Sequence, residues 1–307
     1  MGLAMATNLQ NHLSKTSSHP LAYFNRTLSR GDPLKAIGGV PAQDISSLAA
    51  SSDIIFTCLS DDAALESTLD ALITSSISIK DKLFVDTSTV HPDSSFKAHD
   101  RLSRLGATFI ATPVFGATPV AAAGQLLFVL AGSSAAIDRI TPYLVGVMAR
   151  GVIRLSDDVR QSSLLKTAGN FLTAGMMELI AEAHVFAEKA GLPTEAVEEL
   201  LGAQYGPLAH TMSRRLTGGA YCPAPGERPW SDLKLALKDV GHGVRCAESV
   251  GAKLHVGEVA LGHLEEASQE SRPLDSSSLY GVLRRQAGLD FETDFVKERD
   301  AKLKRES

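Results

Sequence analysis

Lys166 and Asn170 stand four residues apart in a largely apolar stretch, residues 162 to 191, that contains no proline and ends at Gly191-Leu192-Pro193. Apolar residues recur there at three- and four-residue spacing and spill onto other faces, which predicts one long helix, mostly buried. Side chains four apart on a helix lie one above the other, so the lysine and the asparagine share a face, with Thr173 roughly one turn further along. A lysine so placed serves as a general acid or base once burial or a nearby cation brings its pKa toward the working pH. The ordinary alternative is a first-turn lysine with a buried stem and an ammonium in water. The helix alone leaves both readings open.

The composition frames the chemistry. With 307 residues, 44% hydrophobic and 21% charged, the chain buries a sizeable core, and the usual domain size implies two domains. A formal net charge of -5 gives no basic footprint for nucleic acid. No apolar run reaches the ~18 residues that point to a membrane span. The expected partner is therefore a small molecule. Cys58, Cys222 and Cys246 are widely spaced without a CxxC pattern, so neither a disulfide framework nor a metal site is expected. A reducing compartment follows, the cytoplasm being the simplest.

Further elements must position the lysine. Residues 1 to 13 read as an amphipathic helix, and residues 21 to 27, 52 to 60, 81 to 89, 107 to 117 and 126 to 132 read as strands. Helical stretches at 63 to 72, 92 to 105 and 135 to 143 alternate with them, which implies an α/β, mainly parallel, doubly wound sheet of the Rossmann type. Short serine clusters such as residues 75 to 78 punctuate it. After the long helix the pattern becomes all-helical, with segments at 194 to 201, 206 to 216, 230 to 250, 257 to 268 and 279 to 285. Asp275 to Ser278 reads as a helix cap, and Lys234 and Lys238 share a helix face. The expected division is a sheet domain over 1–160, an all-helical domain over 161–290 joined by the long helix, and a charged tail over 291–307, whose end reads as a solvated or frayed helix.

Ligands of such sheets sit beyond the carboxyl ends of the strands, here Asn25-Arg26-Thr27, Leu59-Ser60-Asp61, Thr87-Ser88-Thr89 and residues 113 to 117. An acidic residue after the second strand holds the ribose hydroxyls of NAD, whereas an arginine accommodates the 2′-phosphate of NADP. Residues 25 to 27 hold Arg26 and no carboxylate, so a bound dinucleotide is expected to be NADP rather than NAD. Taken alone, the three residues are an ordinary exit from a strand.

Five motifs in order carry a resemblance. MGLAMATNL resembles the second half of a GLGxMGxxMAxNL fingerprint, and FVDTSTVHP a DxST segment. TPVFGATPVAAAGQL is similar to a DAPVSGGxxxAxxGxL loop, LLKTAGNFL to a KxxxN segment, and LKDVGHGVRCA, residues 237 to 247, to a KDLGxAxD segment. Together, over about residues 1 to 247, they resemble the β-hydroxyacid dehydrogenases, the group of 3-hydroxyisobutyrate dehydrogenase and the 6-phosphogluconate dehydrogenase cofactor domain. The resemblance implies hydride transfer to or from a dinucleotide, with Lys166 as general acid/base and Asn170 placing the substrate carboxylate or hydroxyl. It assigns Gly116 and the backbone at Phe115 and Ala117 to the substrate carboxylate. Met1 and Gly2, Asn25 to Thr27, Leu59, Ser60 and Thr89 fall to the cofactor, with Lys238 near the nicotinamide. The Asp275 to Ser278 stretch resembles a late Asp-Ser segment of the family.

Three departures stand out. The family's first strand and first two glycines would precede Met1, so the expectation is a start assigned too late in place of a shortened product. Phe115 replaces a serine and Ala117 a glycine, which implies a bulkier or less polar substrate than hydroxyisobutyrate. Arg160 and Ser162 replace two glycines, adding a cation near the start of the long helix. A non-catalytic dinucleotide-binding or oligomerisation module is the rival reading, and imine reduction a third. Lys166, Asn170 and Lys238 together favour the enzyme, and the apolar length of the helix implies a homodimer or higher homo-oligomer.

Overall fold

The computed structural model describes residues 1–75 and 77–306; Ser76, within the serine-rich turn, and Ser307, at the end of the charged stretch, lie outside the described residues. The chain divides into two compact units, Met1–Lys166 and Thr167–Ser307.

The first unit opens with α1 (Gly2–Lys15), β1 (Ala22–Tyr23), α2 (Asp32–Ala36), β2 (Val40–Pro41) and α3 (Ile45–Ala50). There follow β3 (Ile54–Thr57), α4 (Asp62–Thr74), β4 (Leu83–Asp86), α5 (Pro92–Ser103) and β5 (Thr108–Ala111). The last part holds β6 (Val114–Phe115), α6 (Thr118–Ala122), β7 (Leu126–Leu130), α7 (Ser134–Leu144) and β8 (Ala149–Arg154). Helix α8 (Arg160–Ala190) begins in this unit and continues into the second.

Strand alternation sorts the side chains into two layers. Leu83, Val85 and Ile110 enter one core together with Met5 and Leu9 of α1. Phe84, Phe109 and Ala111 enter the other, with Leu65, Leu69 and Leu72 of α4 and Leu102 of α5. β3, β4 and β5 form a parallel ladder in that order. β6, β7 and β8 form a second ladder, antiparallel at β6–β7 and parallel at β7–β8. A single antiparallel bridge, Ala111 to Ala131, connects the two. β1 pairs in parallel with β2. Leu21 and Ile54 pack on one core and Ala22 and Ile55 belong to the other, yet among the described residues no ladder joins β1 to β3.

Helix starts follow local chemistry. The Asp44 carboxylate accepts from Ser47 N at 2.7 Å, with Ser47 returning the bond in a capping box. Asp61 caps α4 by accepting from Ala64 N at 2.8 Å.

Several expected strands are shorter than their apolar runs. The stretch at 21 to 27 keeps only two ladder residues, because the Asn25 side chain accepts from Thr27 N at 2.9 Å and bends the chain away. The single strand expected over 107 to 117 is two, β5 and β6, broken at Thr112-Pro113. Proline has no N–H for a ladder; the Pro113 carbonyl accepts from Val129 N at 2.9 Å instead. β2 and β8 carried no readable signal, since one is two exposed residues with a proline and the other mixes two arginines into ARGVIR.

The second unit is all-helical. After α8 come α9 (Thr194–Thr217), α10 (Leu233–Ser249), α11 (His255–Ala267), α12 (Leu279–Gln286) and α13 (Asp294–Glu306). The helix α8 ends in a Schellman turn: Gly191 adopts φ +74° and Leu192 N donates to Ala187 O at 2.9 Å. α9 is bent at Gly206, φ 83° and ψ -176°, just before Pro207, which is why its sequence reads as two helices. Asp275 is fully buried and accepts from Ser231 N, Ser277 N and Ser277 Oγ, and pairs with Arg215 at 2.5 Å.

Two expectations need correction. Helix α8 is not mostly buried along all its faces: Leu172, Leu179 and Phe186 are 59%, 60% and 69% exposed. The charged end is not a solvated tail either. Val296 of α13 is fully buried, and Arg272 holds Glu292 at 2.7 Å and Asp300 at 3.1 Å. One buried valine and one buried ion-paired aspartate, Asp300, hold a helix that is otherwise largely exposed.

Candidate functional site

In the first unit the carboxyl ends of the strands gather most of the sequence-derived positions. α1 starts at Gly2 with no side-chain cap and no acidic residue in its first turn. Its first helical bond runs from Met5 N to Met1 O, so the preceding N–H groups make no bond within the helix and the positive end of the helix dipole lies there, the usual setting for a phosphate. Asn25, Arg26 and Thr27 are exposed in the turn after β1, without a carboxylate among them.

The turns after β3 and β4 are tied by Asp86, the aspartate of the DxST-like segment, to which the sequence assigned no role of its own. Asp86 is 1% exposed, and its Oδ1 accepts from Thr57 Oγ1 at 2.7 Å and from Ser88 Oγ at 2.6 Å. Ser88 Oγ in turn accepts from Leu59 N at 2.8 Å, and Thr87 Oγ1 donates to Thr57 O at 2.6 Å. Burial pushes the Asp86 carboxyl above its ordinary pKa, while the hydroxyl donors of Ser88 and Thr57 pull it back. This network fixes the backbone at Leu59 and Ser60 and the approach to half-buried Thr89. The uncapped α1 start, the turns fixed by Asp86 and the carboxylate-free 25–27 turn fit a dinucleotide diphosphate.

The 115–117 turn and the lysine belong to the same unit. Phe115 sits in the ladder opposite Leu127. Gly116 follows at φ +130°, and a Cβ there would lie 2.7 Å from Leu126 Cδ2 and 2.9 Å from Val120 Cγ1, so only glycine permits this turn. Ala117 then precedes α6 as its N-cap. Lys166 is 8% exposed, and its Nζ lies 4.4 Å from the centroid of the Phe115 ring. The start of α8 is held by Ser163 Oγ against Ser95 Oγ at 2.8 Å, both buried. Arg160, the cation that stands in place of a glycine near the helix start, has its side chain placed by the structure. Its guanidinium stacks 3.6 Å over the Phe96 ring and pairs with Asp158.

Asn170, one helical turn beyond Lys166, opens the polar cluster of the second unit. Its Nδ2 donates to Asp239 Oδ2 at 2.9 Å, and Asp239 Oδ1 holds Lys238 Nζ at 3.0 Å. Neighbouring positions on a helix diverge, which spoke against this ion pair carrying much of Lys238, yet the long lysine stem folds back to reach it. Asp239 belongs to the KDLGxAxD-like segment, but its bond to Asn170 was not foreseen from the sequence. Thr173 turns its hydroxyl to Gly169 O at 2.9 Å, so it satisfies the helix backbone and adds no polar group beside Asn170. Among the described residues no cluster of His, Cys, Asp and Glu could hold a metal, and no helix is long and apolar enough to cross a membrane.

Comparison with known proteins adds to this geometry. Residues 1–155 match the NAD binding domain of 6-phosphogluconate dehydrogenase, and residues 161–283 match the domain described as NAD-binding of NADP-dependent 3-hydroxyisobutyrate dehydrogenase. The NADH-dependent oxidoreductase ucdB of Aspergillus ustus is 34% identical over 298 residues, covering 95% of this chain and 99% of that protein. The chain belongs to the β-hydroxyacid dehydrogenase family. Within that family, mitochondrial 3-hydroxyisobutyrate dehydrogenase of Drosophila melanogaster is 26% identical, with 83% of this chain and 79% of that one covered. The solved 3-hydroxyisobutyrate dehydrogenase of Mycobacterium tuberculosis, with L-serine, has the same fold: TM-score 0.75 at 23% identity, covering 92% of this chain and 96% of that one. The chain is an NAD(P)-dependent, hydroxyacid dehydrogenase-type oxidoreductase.

The raised pKa of Asp86 has a sign that can be measured. A carboxyl with a folded pKa above its unfolded value stabilises the fold below the unfolded pKa and loses that contribution as pH rises through the folded one. The melting temperature of the wild type minus that of Asp86→Asn should therefore be more positive at pH 5 than at pH 8. A difference that grows with pH would contradict the assignment.

Proposed function

We propose that this chain moves a hydride between NADP(H) and a small β-hydroxyacid or the related carbonyl compound, with Lys166 as general acid/base. The observation that carries the reading is a buried lysine beside the 115–117 turn and one helical turn before Asn170. In the oxidative direction neutral Lys166 Nζ takes the substrate hydroxyl proton, and in the reductive direction the ammonium returns it to the carbonyl oxygen. Bound nicotinamide supplies the hydride acceptor or donor. Asn170, its amide oriented by Asp239, places the substrate carboxylate or hydroxyl, and the backbone at Phe115, Gly116 and Ala117 binds the carboxylate. A base acting in this way contributes about 10²–10⁴-fold to the rate. The same pair argues against a non-catalytic module, which has no need of a desolvated lysine.

For the cofactor, Met1, Gly2, Leu59, Ser60 and Thr89 fall to the dinucleotide and Lys238 to the nicotinamide end. The preference for NADP rests on Arg26 in a turn without a carboxylate. The name of the Aspergillus relative favours NADH, so the arginine is the residue on which the two readings differ. We assign a second copy of the chain to the exposed stripe of α8. Leu172, Leu179 and Phe186 recur every seven residues, the spacing of one seam along a helix. The three cysteines are free, which fits a reducing compartment such as the cytoplasm.

Lys166→Met should lower kcat by about 10³-fold while leaving the NADPH dissociation constant within a factor of two; wild-type turnover in that variant would remove the lysine from the mechanism. In fluorescence titrations Arg26→Ala should weaken NADPH by roughly 10- to 100-fold and leave NADH nearly unchanged, as expected for a lost charge-assisted bond. Equal losses for both would remove the preference. Light scattering should find a dimer or larger species that Leu179→Glu with Phe186→Glu converts to monomer. A monomeric wild type contradicts the assignment of the stripe.

A further inference from the structure

We infer that Phe115 is a positioning residue for Lys166, holding its ammonium through the face of the ring. This rests on the reading of Lys166 as the acid/base and adds to it a means by which the group is held. The ring centroid lies 4.4 Å from Lys166 Nζ, inside the distance at which an aromatic quadrupole attracts a cation. Such an attraction strengthens where water is excluded, and the lysine is 8% exposed.

Both partners are fixed by their surroundings. The ring is carried by a ladder position opposite Leu127, and the chain must turn immediately after it, because Gly116 tolerates no side chain against Leu126 and Val120. The lysine is carried by the first turns of α8, where Ser163 bonds to Ser95 and Ser162 Oγ donates to Val159 O at 3.1 Å, with Ser162, Ser163 and Val159 all buried. A flexible four-carbon stem loses much rotamer freedom when its end must stay at one point. A rigid planar face offsets that loss without introducing a polar group that would compete for the substrate. The ring also presents carbon where a serine would offer a hydroxyl, so the part of the substrate that meets position 115 is apolar.

The test separates ring electrostatics from packing. Phe115 is replaced by 4-fluoro-, 3,5-difluoro- and 3,4,5-trifluorophenylalanine, which keep the shape while draining the face of negative charge, and by Tyr and Leu. Carbonyl reduction is followed with NADPH, alongside melting temperature and the proton shifts of lysine selectively labelled at Cε, with Lys166→Arg used to assign the signal. The expected result is a stepwise fall in kcat along the fluorine series and about tenfold for Phe115→Leu, while Phe115→Tyr keeps the ring-current shift of the Lys166 ε-methylene. In the wild type the Lys166 ε-methylene signal should lie upfield through the ring current, and Phe115→Leu should abolish that shift. Full kcat in the trifluoro protein, or an unshifted ε-methylene in the wild type, overturns the proposal. Wild-type turnover in Lys166→Met would instead defeat the underlying reading, while the ring-current shift still reports the contact by itself.

Discussion

Everything around the start of α8 follows from the cost of taking an ammonium out of water. A buried cation needs partners to offset a desolvation cost of several kcal/mol, and Lys166, 8% exposed, is partnered. The neighbourhood offsets this with an aromatic face and with a helix whose first turns are clamped to α5 through Ser163 and Ser95. The same reasoning accounts for Gly116: the turn that carries Phe115 leaves no room for a Cβ.

The second unit solves a parallel problem with a carboxylate. Asp239 receives the amide of Asn170 and the ammonium of Lys238 on its two oxygens. Two positions that the sequence assigns separately, one to substrate and one to cofactor, thereby share a single anchor. Asp86 plays a comparable role in the first unit, where one buried oxygen gathers hydroxyls from the turns after β3 and β4. In each case an acid that the motifs contain but give no role bonds to other residues that the motifs name.

What was legible followed from local repetition. Alternation sorted Leu83, Phe84 and Val85 between two layers, and the proline-free run to Gly191 marked one helix with its stop. The Gly206-Pro207 pair announced the bend in α9. What escaped was set by partners far along the chain: Asp86 meets Thr57 across 29 residues and Asn170 meets Asp239 across 69. No periodicity reports such a pairing. The break at Thr112-Pro113 was legible in principle, since proline removes a ladder donor, but apolar content on both sides concealed it. The charged end misled for the opposite reason, because Val296 and the ion-paired Asp300, set among many exposed charges, decide that α13 docks.

The docking of α13 also bears on how the protein is made. Tyr221 donates its hydroxyl proton to Phe291 O and accepts from Thr293 N, both at 2.9 Å, while its ring lies fully buried against Tyr280 and Phe291. An aromatic of this size cannot be satisfied by the segments that leave the ribosome before it. The helical unit therefore waits for residues 291 to 296 to emerge before its core can close. The sheet unit lies ahead of it on the chain, whereas the helical unit holds an open hydrophobic face until that segment arrives.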